Sequence, residues 1–334
     1  LALLTGRRSD GPFSFPGSVG AGRMKSLLHP GRTVALVFLF AILCGTALLS
    51  LPIAHASGET GPLLTAFFTA VSAVCVTGLV VVDTGTYWST FGQVVIMALF
   101  QLGGFGMMTL ATLLGLLVNR SFRLRAKLIA QAESHVLGLG DISSVAKLVL
   151  VVTLVMELAV MLLLTLRLHL SYGLGWGEAA WSGLFHSVSA FNNAGFSIHV
   201  DGLVRYATDG FILLPVMSAI IIGGIGFPVL NDLRRRWSDP RHWSLHTKLT
   251  LSGTAVLLVG GFMAVLLFEW SNPGTLGPMA WADKLLSAAF VSVSARTAGF
   301  NALDIGALTH ESWALHYFLM FIGGGSAGTA GGVK

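Results

Sequence analysis

Three stretches of the chain repeat one pattern: Val71-Ser-Ala-Val-Cys-Val-Thr-Gly-Leu79, Val188-Ser-Ala-Phe-Asn-Asn-Ala-Gly-Phe196 and, with a one-residue gap, Val293-Ser-Ala-Arg-Thr-Ala-Gly-Phe300. Their ends, Val76-Thr77-Gly78-Leu79, Asn193-Ala194-Gly195-Phe196 and Thr297-Ala298-Gly299-Phe300, each place backbone carbonyls around one glycine. Glycine takes positive φ at little cost, so it lets successive carbonyls be turned toward one axis. Rings of such carbonyls replace the hydration shell of a cation in the filters of potassium channels. No loop carries a carboxylate at its glycine, which argues against the acidic ring of a calcium-type pore.

Those loops need elements to hold them. Each motif ends a short amphipathic stretch (63–75, 179–191, 282–294), and each stretch follows an apolar run (34–51, 145–170, 249–270). The runs are long enough to cross a hydrocarbon core about 30 Å thick. Each motif continues to an Asp and a Gly: Asp83 and Gly85, Asp201 and Gly202, Asp304 and Gly306. A glycine pair then follows, Gly103-Gly104, Gly223-Gly224 and Gly323-Gly324, lying 25, 28 and 24 residues after Gly78, Gly195 and Gly299. Each unit therefore reads as a spanning helix M1, a half-helix P, a loop and a second spanning helix M2. Glycine-containing loops at membrane depth are tolerated only where they line a cavity, because lipid cannot pair their backbone. The half-helices aim their partly negative C-termini inward, which favours a cation. Close packing alone would also use such glycines, but not two markers in three registers.

The expected fold is an all-α polytopic membrane protein of repeated M1-P-M2 units around a pseudo-fourfold pore, with three units present and the third incomplete. The divisions are a cytoplasmic N-terminal segment (1–33), repeat 1 (34–119), a cytoplasmic linker (120–144), repeat 2 (145–233), a second linker (234–247) and repeat 3 (248–334). Only 10% of residues are charged, against about 25% in a soluble domain, which excludes a soluble protein. The net charge of +5 does not point to nucleic acid, because its sources are segregated. Five of the twenty Lys/Arg lie in residues 1–32, five from Arg120 to Lys147 and five from Arg234 to Lys248. Loops without Lys or Arg alternate with them, so the basic side is cytoplasmic, N-terminus included. The other side collects Glu59, Asp83, Glu178, Asp201, Asp209, Glu269, Asp283, Asp304 and Glu311, acids able to concentrate cations at an outer mouth. Cys44 and Cys75 lie in apolar segments and suggest neither disulfide nor metal site. His55, His135, His169, His186, His199, His310 and His316 lack metal-ligand spacing and read as interfacial or loop residues, so no metal is expected. No cleavable signal peptide is evident. Met24 reads as a natural start, and the ending inside a glycine-rich run suggests a truncated sequence.

The combination of Val76-Thr-Gly-Leu79, Phe191-Asn-Asn-Ala-Gly-Phe196 and Arg296-Thr-Ala-Gly-Phe-Asn301 resembles the Trk/Ktr/HKT superfamily of potassium transporters. His29-Pro-Gly-Arg32 and Leu51-Pro-Ile53 are similar to the KtrB branch rather than the TrkH branch. The resemblance implies four fused channel-like units, a homodimer with one pore per protomer, location in the cytoplasmic (inner) membrane, and a cytosolic nucleotide-sensing partner. Any nucleotide would then bind that partner, so this chain needs no cofactor. A run as rich in glycine as Gly323, Gly324, Gly325, Ser326, Gly328, Thr329, Gly331 and Gly332 cannot hold a regular helix, at about 1 kcal/mol per Gly relative to Ala. The resemblance makes it an intramembrane gate loop below the filter.

Intramembrane polar residues are functional candidates by default. Arg296, just after the third P segment, is expected to brace the filter. Glu157 in the second M1 needs a partner or a proton, and Gln101 and Asn119 read as helix–helix hydrogen-bonding groups. Gly324–Gly328 also fits G-x-S-x-G, but no strand precedes Ser326 as a hydrolase elbow requires, so no enzyme is expected. A sodium-coupled transporter with broken helices is the alternative; it would normally use inverted repeats, whereas these units run parallel.

Overall fold

The computed structural model describes residues 30–106 and 139–333; the N-terminal segment before residue 30, Asn119, His135 and most of the 120–144 linker lie outside the described residues. Among the described residues the backbone is helical, with two isolated β-bridges, His55 to Trp88 and Ile322 to Val333. The chain divides into two units, Leu1–Leu39 and Phe40–Lys334. The first is helical over its described residues, 30–39; the second contains all three motifs.

Repeat 1 comprises α1 (Pro30–Leu49), α2 (Leu63–Val74), the single turn α3 (Thr84–Tyr87) and α4 (Thr90–Gly106). Repeat 2 comprises α5 (Leu139–Tyr172), α6 (Trp176–Phe191), α7 (Gly210–Ile225) and α8 (Phe227–Arg236). Repeat 3 comprises α9 (Leu245–Glu269), α10 (Trp281–Ser294) and α11 (His310–Phe321). Lys147–Tyr172 and Leu245–Glu269 are long and apolar enough to cross a membrane. Leu154, Val155, Leu158, Leu162 and Leu166 line one exposed face of α5, a stripe suited to lipid rather than water. The half-helices α2, α6 and α10 have 12, 16 and 14 residues. At 1.5 Å per residue they are too short to span, and their buried faces hold small residues such as Ala73, Ser187, Ser189, Ala190 and Ser294.

The M2 of repeat 2 departs from the expected single span. α7 and α8 meet at a 98° bend. Gly226 sits at the break with φ 96°, followed by Pro228 in the first turn of α8. The bend makes room for the glycine-rich run of repeat 3: a Cβ on Gly226 would lie 2.3 Å from the Ser326 carbonyl oxygen, and Phe227 N donates to Ala327 O at 3.2 Å.

Each repeat ties the end of M1 to the start of M2, with different chemistry each time. In repeat 1, Ser89 Oγ donates to Ile53 O at 2.5 Å. In repeat 2, Asp209 caps α7 through Phe211 N at 2.9 Å and accepts from Arg167 Nε at 2.8 Å and Tyr172 OH at 2.9 Å. In repeat 3, the fully buried Glu269 carboxylate accepts from Asn272 Nδ2, Thr275 Oγ1, Thr309 N, Thr309 Oγ1 and Ser312 Oγ. Asp209 and Glu269 are thus structural, not the solvated mouth acids that their side of the membrane suggested.

The glycine pairs of the first two M2 helices carry the close approach of M2 to the half-helices. A Cβ on Gly103 would lie 2.2 Å from Val74 O, and one on Gly223 would lie 1.9 Å from Phe191 O. The tie and the close approach are each testable by the thermal unfolding midpoint of the full-length protein in detergent. Glu269→Leu removes the shared acceptor of five donors, of which Asn272 Nδ2 keeps Ala307 O and Thr309 Oγ1 keeps Ser312 Oγ, and should cost about 3 kcal/mol; an unmoved midpoint would remove Glu269 as a hub. Gly223→Ala should cost about 2 kcal/mol by overpacking, whereas Gly253→Ala, with nothing within 4 Å of the added carbon, should be neutral or slightly stabilising.

Candidate functional site

The three loops leave the C-termini of α2, α6 and α10 in matching conformations. Val76, Asn193 and Thr297 have φ of 54°, 55° and 71°; two residues on, Gly78, Gly195 and Gly299 have φ of 72°, 72° and 79°. For non-glycine residues the left-handed region costs about 1–2 kcal/mol, and such strain collects at functional sites. Positive φ at alternate residues turns successive peptide groups the same way, amides to one side and carbonyls to the other. The half-helices supply the anchorage: Thr77 N, Ala194 N and Gly299 N donate to the carbonyls of Ser72, Ser189 and Ser294, five residues back.

The loops lie side by side in chain order. A Cβ on Gly78 would lie 2.3 Å from Ala194 O and 3.0 Å from Gly195 Cα; one on Gly195 would lie 2.7 Å from Ala298 O and 3.2 Å from Gly299 Cα. The turns after the loops follow the same order, Gly85 against Ile198 O and Leu203 N donating to Asn301 O at 2.8 Å. Phe196 and Phe300 are buried behind their loops, Phe196 stacked on Phe100 at 5.8 Å. Leu79, their counterpart in repeat 1, is 62% exposed.

Several supporting residues are not evident from sequence. The serine of each Val-Ser-Ala is one: Ser189 Oγ donates to Phe196 O at 2.8 Å, Ser294 Oγ to Phe300 O at 2.6 Å, and the Ser72 carbonyl accepts from Thr77 Oγ1 at 3.0 Å. Its repetition is the available signal. His186 is another. It lies buried on α6, not at an interface or in a loop; Nδ1 meets Ser182 O at 2.8 Å, Nε2 meets Ser197 Oγ at 2.9 Å, and its ring stacks on His199 at 4.8 Å. Thr69 and Val291 hold the matching positions of the other repeats, so the repeat gives no signal for it. In the turn after the second loop, burial and the neighbouring Arg205 hold His199 below the usual imidazole range.

Glu157 finds its partner in Asn192. That amide nitrogen donates to Gln101 Oε1 at 2.5 Å, Val188 O at 2.8 Å and Glu157 Oε1 at 3.4 Å. One side chain therefore joins α4, α5 and α6 directly behind the second loop. Gly104 leaves the room for it, since a Cβ there would lie 2.0 Å from Asn192 Oδ1.

The glycine-rich run 322–333 is an unwound loop that follows α11, its two ends joined by the bridge from Ile322 to Val333. Thr329 Oγ1 accepts from Asn193 Nδ2 at 2.7 Å and donates to Phe191 O at 3.0 Å. Gly331 N donates to Thr297 Oγ1 at 2.9 Å, and Arg296 donates to Gly323 O at 2.9 Å. Gly325 N and Thr329 N donate to Gly224 O and Gly223 O at 2.7 and 3.1 Å. Gly332 has φ 75° and Ala327 φ 59°. Ser326 is exposed at the turn, with coil before it. Arg296 thus reaches the run below its loop, while Asn193 and Thr297 belong to loop and run at once.

Residues 34–334 match the family described as TrkH, a cation transport protein. The chain is 42% identical over 309 residues to the Ktr system potassium uptake protein B of Bacillus subtilis (strain 168), covering 91% of this chain and 67% of that protein. It is 36% identical over 316 residues to the potassium/sodium uptake protein NtpJ of Enterococcus hirae, covering 93% and 68%. The crystal structure of the potassium transporter TrkH from Vibrio parahaemolyticus matches with a TM-score of 0.62 at 21% identity, over 88% of this chain and 58% of that one; at that identity the likeness concerns the fold. The chain spans about two thirds of the length of these curated relatives. With its helical architecture and a match running from the first M1 to its last residue, the chain belongs to the TrkH family of cation transport proteins.

Proposed function

We propose that the chain contributes three consecutive sides of a fourfold, potassium-selective filter in a cytoplasmic-membrane uptake system, with the run 323–332 as the gate beneath it. The observation that carries this reading is the register of six positive-φ residues, two per loop, with Gly195 set between Gly78 and Gly299. Carbonyls arranged this way coordinate a dehydrated cation, and the C-termini of α2, α6 and α10 add a negative field. The names of the relatives, potassium uptake and potassium/sodium uptake proteins, agree with that cargo. The basic stretch Arg234 to Lys248 on one side of the third M1 supports a cytoplasmic position for that side and for the N-terminal segment. Relatives named as components of a Ktr system support a multi-component assembly: a second copy of the chain in the membrane and a cytosolic nucleotide-binding regulator. The chain does no covalent chemistry in this reading.

The gate has a definite energetic scale. Among the described residues, seven hydrogen bonds hold the run to the second and third loops, the end of α6, α7 and α8, each worth about 1 kcal/mol net. Opening thus costs a few kcal/mol, a sum that differential contacts with a regulator can supply.

Two outcomes test the reading in the full-length protein, expressed in a host lacking its own potassium uptake. Gly78→Ser should lower rubidium-over-sodium preference at least about tenfold, a loss of about 1.4 kcal/mol; unchanged preference would exclude Gly78 from the filter. Deleting 324–330 should raise uptake velocity at matched expression and weaken its dependence on the regulator. Velocity and regulation both intact would mean the run is no gate.

A further inference from the structure

Among the described residues, two buried side-chain polar atoms between the second loop and the glycine-rich run make no hydrogen bond: Asn193 Oδ1 and Arg296 Nε. Buried polar groups are nearly always paired, so each one left over needs a cause. Asn193 is 1% exposed, and the orientation of its amide is dictated twice. Its nitrogen lies 3.3 Å from Ile220 O, which can only accept. It also lies 2.7 Å from Thr329 Oγ1, whose one proton is given to Phe191 O. The NH2 must face both, which leaves Oδ1 an acceptor in need of a donor. Arg296 Nε–H is a donor without an acceptor, while its terminal nitrogen is engaged with Gly323 O.

Both residues line the same cavity of about 20 Å³, together with Thr254, Gly224, Gly324 and Ala330. A single water needs about 10–15 Å³ and two to four polar partners. We propose that this cavity is the site of one ordered water, accepting from Arg296 Nε and donating to Asn193 Oδ1, with the Thr254 hydroxyl within the same lining as a third partner. A monovalent cation does not suit the site, because a guanidinium forms part of its wall and only one unengaged carboxamide oxygen is offered. An anion does not suit it either, because Asn193 presents that oxygen and not its NH2. Water alone satisfies an orphan donor and an orphan acceptor together. If the run is the gate, a role that rests on the reading above, the water joins the residue anchoring its first glycine to the residue holding Thr329.

Gly224 makes the test sensitive to sign. It is helical, and a Cβ there would lie 3.6 Å from Ala330 Cβ, 3.7 Å from Asn193 Nδ2 and 3.9 Å from Asn193 Oδ1, ordinary contacts with two residues of the cavity wall. On chain entropy alone Gly224→Ala stabilises, so a dry cavity predicts a higher unfolding midpoint. A water displaced from two otherwise unpaired groups predicts a midpoint lower by about 3 °C. The measurement is made on the full-length protein in detergent, beside an experimental structure of the unsubstituted protein, one copy soaked in rubidium. Density for one water within about 3.2 Å of both atoms and a lowered midpoint support the site. A raised midpoint, an anomalous rubidium peak, or a site empty of density would overturn it. None of these readouts uses transport, so their failure is separable from failure of the selectivity and gating tests above.

Discussion

Backbone that is not helical must find its hydrogen bonds inside the protein when it lies at membrane depth, and most features of this chain answer that constraint. Three loops and the run 322–333 break the helical ladder where lipid could offer no substitute. Their amides and carbonyls are met from within: the serine carbonyls of the half-helices hold Thr77, Ala194 and Gly299, serine hydroxyls hold the Phe196 and Phe300 carbonyls, and α7 carbonyls hold Gly325 and Thr329. Such neighbours must come very close. The missing side chains of Gly103 and Gly223 let M2 lie against the ends of α2 and α6, so the glycines that mark the repeats serve the loops indirectly.

The repeats share geometry more than chemistry. Joining M1 to M2 is done by a hydroxyl and a short backbone bridge in repeat 1, by a carboxylate with an arginine and a tyrosine in repeat 2, and by a carboxylate with five neutral donors in repeat 3. A partly exposed pair such as Arg167–Asp209 is worth little where water can compete. Glu269, fully buried, is costly to leave incomplete. The third unit is therefore expected to be the one most sensitive to loss of its tie.

How far the sequence discloses this depends on the kind of interaction. Helical architecture and membrane character are legible, because apolar runs of spanning length with so few charges suit a bilayer and not water. The places of Gly78, Gly195 and Gly299 are legible because the motif occurs three times. The left-handed φ of Val76 and Thr297 is not, since neither residue type favours it, while asparagine tolerates it at Asn193; the half-helix carbonyls and, at Asn193 and Thr297, the contacts with the run help to impose it. Nor is the break at Gly226 legible. A glycine followed by proline in an apolar run is compatible with a mild kink, and the 98° bend depends on a loop arriving about a hundred residues later. Asn192 and Asn193 look alike in sequence, yet one ties three helices behind the loop and the other reaches down to Thr329. Adjacent residues at the end of a helix point in different directions, and only the surrounding helices decide which partner each meets.

That division has a consequence for how loop and run act on each other. Among the described residues, the side chains that hold the run to the loops come from repeats 2 and 3: Asn193, Arg296 and Thr297. Two of these residues also carry the strained φ of their loops. Withdrawing the run would remove an acceptor from Asn193 and a donor from Thr297, and so loosen the residues whose conformation the run helps to impose. Coupling of this kind is reciprocal. If the loops hold a cation and the run is the gate, as proposed above, an ion that stabilises the loops must by the same free energy hold the run in place, and a partner that pulls the run away must weaken the loops' hold on the ion. With contacts of about 1 kcal/mol each, the coupling amounts to a few kcal/mol. A coupling of that size would shift the occupancy of either site by orders of magnitude.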